Sequence, residues 1–423
     1  MKRYKQYINE NTRGAVTLSD TLEQKQCGLT VIHHNDADGL CAAATLSTAF
    51  DMLSIKYRLL AVEKIHEFML DRIYKGSGEC LVYADLGGQS SELIGRYTKR
   101  SFLTVILDHH LPGGDTPENV VHINPELFGI SGDTDSSGAS VCVLFARALL
   151  SLSNCGSLLT NARLAVFGVI GAFGDRQFVN GNLAGVNRML LEDALDGNVI
   201  RRSKDGYVIP GLGGRTPDEI AKMLDLLGSA GFYSGCARRG VNFLLGKDTE
   251  EVTAIIPRLL DMKDSLFNRE IEKIKNQGLR GSAHFEWIDV EDRFDPMGVK
   301  SIGLFLELLI ERSMTDPGKY LIGFQHLPSD MPGIGEIETS LSKVSARVSA
   351  RMRKDIEGGP LPDFMKLIPA AAQRVRGIAD GCHRFAAASV IRLGNEKAFM
   401  DALEDSFGEE RQRTTSGQDG QGA

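Results

Sequence analysis

The sequence GLTVIHHNDADG, at residues 28–39, contains the strongest structural signal in the chain. Its first part, Leu29 to Ile32, is apolar and rich in β-branched side chains, which is typical of a buried strand. The run ends abruptly in two imidazoles, an amide and two carboxylates before Gly39. Such side chains pack poorly, but they bind divalent cations well, because hard cations prefer carboxylate oxygens and Mn²⁺ also accepts imidazole. A helix-forming run follows, and this strand, loop and helix pattern is where open α/β sheets bind ligands.

Three further apolar segments, centred near residues 82, 105 and 169, end in the same way. Each delivers acidic or imidazole side chains at its carboxyl-terminal edge. The residues delivered are Asp85, Asp108, His109, His110 and Asp175. Brought together, five of these side chains can hold two metal ions with one carboxylate bridging them, namely Asp36, Asp38, Asp85, His109 and Asp175.

This combination of motifs resembles the DHH phosphoesterase superfamily. The resemblance covers roughly residues 28–392. Within the superfamily, the chain looks most like the archaeal RecJ-like single-strand exonucleases, including the GINS-associated nuclease. The matching residues are His34-x-Asp36-x-Asp38-Gly39, Asp85, Asp108-His109-His110 and Asp175, with Gly381-Cys382-His383 resembling the Gly-Gly-His loop of the DHH-associated domain.

The resemblance implies a role for each site residue. One metal ion would take His34, Asp36 and Asp85, and the other would take Asp38, Asp85, His109 and Asp175. In this scheme Asp85 bridges the two ions. Two catalytic roles are also implied: His110 would face the phosphate, and Asp108 would orient a neighbouring imidazole. We expect two Mn²⁺ ions, with Mg²⁺ as an alternative, because imidazole ligands favour Mn²⁺.

A second group of residues is predicted to bind the substrate. Ser137 opens a helix, whose free N–H groups and hydroxyls can hold a phosphate, although plain helix capping explains the same pattern equally well. The other four lie in the predicted second domain: Arg347, Gly381, His383 and Arg384. Residues 343–392 hold ten basic and four acidic side chains, a balance of +6 in a chain of net charge −7. This contrast suits a polyanionic substrate, with a solvated basic face as the competing interpretation for any single arginine.

We predict an α/β protein with an N-terminal, mostly parallel sheet flanked by helices. A helical linker would join this sheet to a smaller α/β domain. Strands are expected near 28–33, 55–62, 80–85, 103–108 and 120–123, alternating with helices. The predicted divisions are a DHH catalytic domain at 1–190, a helical connector at 191–280, a DHH-associated substrate-binding domain at 281–405 and a polar, disordered tail at 406–423.

Composition excludes several classes of protein. With 42% hydrophobic and 24% charged residues, the chain has the usage of an ordinary globular protein. It has no signal-like N-terminus and no apolar run of the ~18 residues that a membrane span requires. Seven cysteines without a CxxC pair indicate free thiols. We therefore expect a cytoplasmic protein that contacts no membrane.

The leading functional hypothesis is a metal-dependent phosphodiesterase of the RecJ type. It would hydrolyse single-stranded DNA, with RNA as a further option, by a two-metal mechanism in DNA repair or replication. One alternative is a phosphodiesterase for nano-RNA or linear dinucleotides. Another is a replisome scaffold that binds GINS-type partners and has secondary nuclease activity. Hydrolysis of pyrophosphate or polyphosphate is a fourth option, but the RecJ-like length and the Gly-x-His domain imply, by resemblance, a nucleotide substrate.

Overall fold

The computed structural model describes residues 2–75, 78–204, 206–336, 340–359 and 361–419, with the backbone alone at 380 and 414–419. The chain divides into two compact units. The first holds the residues up to Leu259 together with Pro332–Ile334, and the second holds Leu260–Met331 and the chain from Gly335 onward. Among the described residues, no helix is both long enough and apolar enough to cross a membrane.

The first unit contains a parallel sheet, a small hairpin and the helices that surround them. Its strands are β1 (Gly28–His34), β2 (Arg58–Val62), β3 (Glu79–Ala84), β4 (Leu103–Leu107), β5 (Val120–Ile123), β6 (Arg201–Ser203) and β7 (Gly206–Val208). Its helices are α1 (Lys2–Lys25), α2 (Ala37–Met52), α3 (Glu67–Ile73), α4 (Ser91–Gly95), α5 (Gly138–Leu152), α6 (Leu158–Gly174), α7 (Gly185–Asp196), α8 (Pro217–Gly228), α9 (Cys236–Leu244) and the first part of α10 (Thr249–Gln277).

The sheet has the strand order β2-β1-β3-β4-β5, and every neighbouring pair is parallel. Strands β1, β3 and β4 are buried along nearly their whole length, which explains their continuous apolar sequences. The order reverses between β1 and β3, and open α/β sheets bind ligands in the crevice at such a point. Ala84 pairs with His33 on one side and with Leu107 on the other. The polar residues at the ends of these three strands therefore lie along one edge.

Helices complete this edge. Helices α2, α5 and α6 pack against one another, and most of their residues are buried. Because α2 begins just after β1, its amino-terminal end lies at the carboxyl edge of the sheet. The amino-terminal end of α5 and the carboxyl-terminal end of α6 meet it there, as the contacts described below show.

The second unit is a mixed sheet with helices. Its strand order is β14-β15-β13-β10-β9-β8, in which only β9 and β10 are parallel. Its core is built on aromatic residues such as Phe285, Tyr320 and Phe364. The strands are β8 (Arg280–Gly281), β9 (Phe285–Asp289), β10 (Tyr320–His326), β11 (Asp330–Met331), β12 (Gly335–Glu336), β13 (Leu341–Arg347), β14 (Ile378–Asp380) and β15 (Ala386–Arg392). The helices are α11 (Lys300–Glu311), α12 (Ala350–Glu357), α13 (Phe364–Arg374) and α14 (Glu396–Asp419).

The predicted fold class is confirmed, and the five predicted strands of the first sheet are all present. Two features of the predicted domain division differ in the structure. Residues 191–259, predicted as part of a separate connector, belong to the first unit. The predicted tail from 406 is helical as far as Asp419, and residues 420–423 lie outside the described residues. The helix is held because Phe407 is buried against the ring of His284, and Arg374 pairs with Glu409.

Candidate metal centre

The loop after β1 begins the site. Asp36 caps α2, because one carboxylate oxygen accepts a hydrogen bond from the Gly39 N–H at 3.1 Å. Its other oxygen lies 2.7 Å from Nδ1 of His34. The cap therefore fixes the Asp36 carboxylate beside an imidazole, at the edge where a cation would be shared between them.

Asp38 is fully buried and is held by the amino-terminal end of α5. Its carboxylate accepts hydrogen bonds from the Ser137 hydroxyl at 2.8 Å, the Gly138 N–H at 2.6 Å and the Ala139 N–H at 3.0 Å. Burial raises the pKa of Asp38 to about 7, and the charge of Asp175 adds to this shift. The helix end that the sequence offered to a phosphate therefore binds Asp38 instead. Ser137 positions a carboxylate, and its predicted contact with substrate has no support in this arrangement.

Asp85 lies between two imidazoles. Its Oδ1 is 3.3 Å from Nε2 of His109, and its Oδ2 is 3.4 Å from Nδ1 of His34. The residue is buried and has a positive φ of 61°, a left-handed conformation that Asp and Asn tolerate better than most residues. Burial, and then the charges of Asp38 and Asp36, raise the pKa of Asp85 well above its usual value. One oxygen towards each imidazole is the arrangement that a bridging carboxylate requires.

His109 directs one ring nitrogen at the carboxylates. Its Nδ1 lies 2.7 Å from the Gly132 carbonyl oxygen, and because a carbonyl only accepts, Nδ1 carries a proton. Its Nε2 lies 3.2 Å from Asp175, 3.3 Å from Asp85 and 3.8 Å from Asp38. Burial lowers the pKa of His109, but Asp175 and Asp85 outweigh it, and the pKa lies well above its usual value.

These atoms fit a bound cation. Nε2 of His109 and Oδ1 of Asp85 are buried and make no hydrogen bond of normal geometry within the described chain. With Nδ1 protonated, a neutral His109 ring turns the lone pair of Nε2 towards these carboxylates. Such lone pairs repel one another unless a proton or a metal ion lies between them. The donor set therefore fits a divalent metal ion.

Asp108 and His110 form a pair beside the ligands. Oδ1 of Asp108 lies 2.8 Å from Nδ1 of His110, and Oδ2 accepts the Gly88 N–H at 2.7 Å. Burial acts to raise the pKa of Asp108, but His110, His109 and the Gly88 N–H outweigh it and hold this pKa well below its usual value. The side chain of His110 is 35% exposed, and its Nε2 is the ring nitrogen not taken by Asp108. Asp108 thus lies where its predicted orienting role requires, and the imidazole that it orients is His110.

All six predicted metal ligands converge at this edge of the sheet. The ligand atoms within each group lie within 4.8 Å of one another, and the groups are His34, Asp36 and Asp85, then Asp38, His109 and Asp175. Asp85 also lies in a third group with Asp108, His109 and His110. His33, which was not predicted to be a ligand, is buried, and its Nδ1 lies 2.8 Å from the His34 carbonyl oxygen. The predicted assignment of ligands to two ions is consistent with this grouping.

Sequence reasoning missed the residues that hold the ligands in place. The carboxylate of Asp225, in α8, accepts the Ala37 N–H at 2.8 Å, and the Asn35 amide donates to the Gly228 carbonyl at 2.5 Å. Both contacts join the β1–α2 loop to a helix nearly two hundred positions away. Gln177 and Asn187 also support the site, through hydrogen bonds with the Gly132 carbonyl and the Ser137 N–H, respectively. No local motif marks these residues, and only the folded chain shows what they contact.

The Gly381-Cys382-His383 loop turns between β14 and β15 in the second unit. Gly381 has a positive φ of 63°, and the His383 N–H donates to the Ala386 carbonyl at 2.9 Å. His383 and Arg384 are exposed, and the Arg384 guanidinium lies 5.3 Å from the centre of the Phe385 ring. This hairpin therefore presents an imidazole and a guanidinium at the surface of the unit.

The predicted basic face is partly neutralised by acidic partners. Arg347 donates to Glu307 at 2.8 Å through Nε, and Arg384 lies 3.4 Å from Asp363. Lys366 and Arg374 have similar partners on α14. The net charge of +6 over residues 343–392 thus overstates the positive potential at the surface, because several of these basic side chains form ion pairs within the unit.

Protons and metal ions should compete for the carboxylate site. Asp38, Asp85 and His109 have raised pKa values, so the folded chain binds their protons more tightly than the unfolded chain does. That stabilisation is complete below the unfolded pKa values and is lost as the pH rises through the folded ones. From about pH 6 to about pH 8, the free energy of unfolding in EDTA should fall while the affinity for Mn²⁺ rises. Denaturation and calorimetry at both pH values measure this, and two trends of the same sign would contradict it.

Comparisons with known proteins agree with this architecture. Residues 29–164 match the model of the DHH family, N-terminal domain. An uncharacterized protein of Methanocaldococcus jannaschii is 28% identical over 182 residues, which are 41% of this chain and 38% of the relative. The match therefore spans well under half the length of that relative.

Two solved structures are similar over almost the whole chain. RecJ from Thermus thermophilus in complex with Mn²⁺ has a TM-score of 0.66 and 18% identity, covering 95% of this chain and 55% of its own. CDC45 from Entamoeba histolytica has a TM-score of 0.54 and 12% identity, covering 94% of this chain and 99% of its own. At these identities the likeness concerns the fold. Residues 29–164 therefore form a DHH-family domain, within a chain whose fold is RecJ-like.

Proposed function

We propose that this protein is a Mn²⁺-dependent phosphodiesterase that hydrolyses single-stranded nucleic acid from one end. The observation that carries the proposal is the convergence of Asp38, Asp85 and Asp175 on Nε2 of His109. The RecJ structure to which the chain is similar was solved with Mn²⁺. The chain spans only 55% of that RecJ, and its substrate is for that reason part of the proposal.

Two ions would be held as the ligand groups suggest. The first would take His34, Asp36 and Asp85, and the second would take Asp38, His109 and Asp175, with Asp85 shared. Bound there, a pair of divalent ions would lower the pKa of a water molecule and neutralise charge on phosphoryl oxygens. Mg²⁺ is a second candidate, because the site is rich in carboxylates.

The chain's own residues supply the remaining chemistry. Asp108 has a low pKa and stays ionised, so it keeps the proton of His110 on Nδ1. Nε2 of His110 is then free to accept a hydrogen bond or, in the charged ring, to donate one. In the proposed complex the charged ring donates its Nε2 hydrogen bond to a phosphate oxygen, transfers that proton to the leaving oxygen and becomes neutral, with the Nδ1 proton retained. Asp108 thus acts as a positioning residue, because it holds one proton of His110 on Nδ1 and leaves Nε2 for the substrate.

The second unit offers groups that suit a nucleotide chain. Two guanidinium groups, of Arg353 and Arg384, lie 4.7 Å and 5.3 Å from the centre of the Phe385 ring. Guanidinium groups bind phosphates, and their planes and aromatic rings stack on bases. We propose that Gly381 and His383 add a backbone turn and an imidazole to this surface. Arg347, which is paired with Glu307, would have to exchange that partner for a phosphate.

One alternative is a replisome scaffold that binds GINS-type partners and has secondary nuclease activity, and the similarity to CDC45 is compatible with it. The similarity is one of fold at 12% identity. Retention of all six predicted ligands at one site argues for catalysis, because a scaffold without activity has no need of them. A phosphodiesterase specific for short oligonucleotides uses the same centre and differs only in the length of substrate that it accepts.

A time course with Mn²⁺ on end-labelled single-stranded DNA and RNA, each as a 5-mer and a 40-mer, tests the proposal. We expect progressive shortening of the 40-mer from one end, and none in the Asp175→Ala variant. Cleavage of the 5-mer alone would assign the protein to the short-oligonucleotide enzymes. No cleavage by a protein that binds Mn²⁺ would contradict the proposal and favour the scaffold, and equal activity in Asp175→Ala would contradict the metal assignment.

A further inference from the structure

Two buried amide side chains, Gln177 and Asn187, connect the ligands Asp38 and His109 through one chain of hydrogen bonds. We propose that this amide pair positions two ligands of the second metal ion, Asp38 and His109, and thereby sets the affinity of that ion. The inference rests on the metal site of the proposed function, and it concerns residues that contact no ion themselves. Both side chains are inaccessible to solvent, with exposures of 1% and 0%.

At one end, the chain of bonds fixes the ring of His109. The Gly132 carbonyl accepts from Nδ1 of His109 at 2.7 Å and from Nε2 of Gln177 at 2.7 Å. Glu126 holds the same peptide segment by accepting the Gly132 N–H at 2.6 Å. The carbonyl is therefore anchored, and its position keeps the proton on Nδ1 and leaves Nε2 for the ion.

At the other end, the chain of bonds fixes Asp38. Oδ1 of Asn187 accepts the Ser137 N–H at 3.1 Å and the Ser140 hydroxyl at 2.7 Å. These bonds hold the first turn of α5, whose Ser137 hydroxyl and next two N–H groups bind the Asp38 carboxylate. Asn187 thus supports Asp38 through one intervening residue.

The two halves join where Nδ2 of Asn187 donates to Oε1 of Gln177 at 2.7 Å. The direction of every bond follows from the ends. Because the Ser137 N–H can only donate, Oδ1 of Asn187 must face it, and Nδ2 must face Gln177. The Gly132 carbonyl can only accept, so Nε2 of Gln177 must face it. An amide pair satisfies both ends, whereas a carboxylate or an apolar side chain at either position breaks the sequence of donors and acceptors.

A merely structural role predicts a different result from a positioning role. Apolar residues of the same size would fill the same space, and a structural amide would affect only stability. A positioning amide also affects how well the folded protein binds metal. Loss of partners that orient a metal ligand costs about 10–100-fold in affinity.

The test measures binding of Mn²⁺ alone, by calorimetry, to Gln177→Met, Asn187→Leu and the double variant. We expect each single change to weaken one of the two binding events by about 10–100-fold. The loss in the double variant should be smaller than the product of the single losses, because either cut breaks the same chain of bonds. Denaturation in EDTA confirms that each variant folds. If Asn187→Leu does not fold, Gln177→Met decides alone, since it leaves the bonds from Asn187 to α5 intact.

Gln325→Met is the matched control. Gln325 is also a fully buried glutamine that donates to a backbone carbonyl, that of Met297 at 3.4 Å, but it belongs to the second unit. It should lower stability and leave affinity for Mn²⁺ unchanged. Affinity within twofold of the wild type in folded Gln177→Met would overturn the inference, even if the wild type cleaves nucleic acid. A wild type that binds Mn²⁺ and cleaves nothing would refute the proposed function alone.

Discussion

Replacing Asp85 with Asn should abolish Mn²⁺-dependent hydrolysis and, at the same time, stabilise the metal-free protein. Asn has the same shape as Asp and tolerates the left-handed backbone at this position, where φ is 61°. The change removes the carboxylate that both proposed ion sites would share, and we expect hydrolysis to fall by at least about a hundredfold. It also removes a charge that burial, and then the charges of Asp38 and Asp36, disfavour. Relief of that cost should add roughly 1–3 kcal/mol to the free energy of unfolding.

The stabilisation expected for Asp85→Asn should depend on pH. The pKa of Asp85 is raised in the folded state, so the wild type loses stability as the pH rises above the unfolded value. The Asn variant has no such proton to lose. Its advantage in EDTA should therefore be larger at about pH 8 than at about pH 6. Added Mn²⁺ should raise the stability of the wild type, by about 2.7 kcal/mol at a hundred times its dissociation constant, and leave the variant unchanged.

Asp248→Asn provides the control for this comparison. Asp248 also has a positive φ, of 55°, but it is exposed. The same chemical change should alter neither the response to Mn²⁺ nor hydrolysis. Thermal denaturation of the three proteins, with EDTA and with Mn²⁺, measures both effects. An Asp85→Asn variant less stable than the wild type in EDTA at about pH 8 would show that burial and the neighbouring carboxylates do not disfavour the charge of Asp85.

The sequence was sufficient to locate the site because its signals are local. A buried parallel strand has a continuous apolar sequence, and a polar cluster at its end has no packing purpose. That pattern occurs at the ends of β1, β3 and β4, and parallel strands place all three ends at one edge. The six ligands predicted from these ends, from the start of α2 and from the end of α6 do converge.

The residues that hold the ligands could not be predicted in this way. Asp38 and Ser137 are 99 positions apart, and Ser137 has the sequence pattern of an ordinary helix cap. Whether a helix end binds a phosphate or a carboxylate of its own chain depends on packing, which no local pattern records. The same holds for α14, whose polar sequence suggests disorder until Phe407 and the pairs with Arg374 are seen.

The second large effect is a loss of metal affinity, and it comes from substituting a glycine that is not itself a ligand but packs behind the carboxylates. Gly138 is the first residue of α5, and a Cβ atom there would lie 2.2 Å from Oδ1 of Asp85 and 2.6 Å from its Cβ. A Cβ atom does not approach non-bonded atoms this closely, so in Gly138→Ala either Asp85 rotates away or α5 moves. Movement of α5 would carry with it the N–H groups that hold Asp38. Either response separates the ligands of the two ions.

We therefore expect Gly138→Ala to lose at least about tenfold in affinity for Mn²⁺ while remaining folded. Alanine favours a helix over glycine by about 0.5–1 kcal/mol, which offsets part of the cost of the clash. Gly171→Ala makes the same test on a different carboxylate, because its Cβ would lie 2.0 Å from Oδ1 of Asp38. Gly408→Ala, in α14, has no described atom within 4 Å of the added carbon and should bind Mn²⁺ as the wild type does. Calorimetry on the three variants checks this, and wild-type affinity in Gly138→Ala would mean that Asp85 is not held against α5. All three substitutions replace a helical glycine with alanine, so a change in helix propensity is common to them. A difference in affinity among them therefore measures the space available behind the carboxylates.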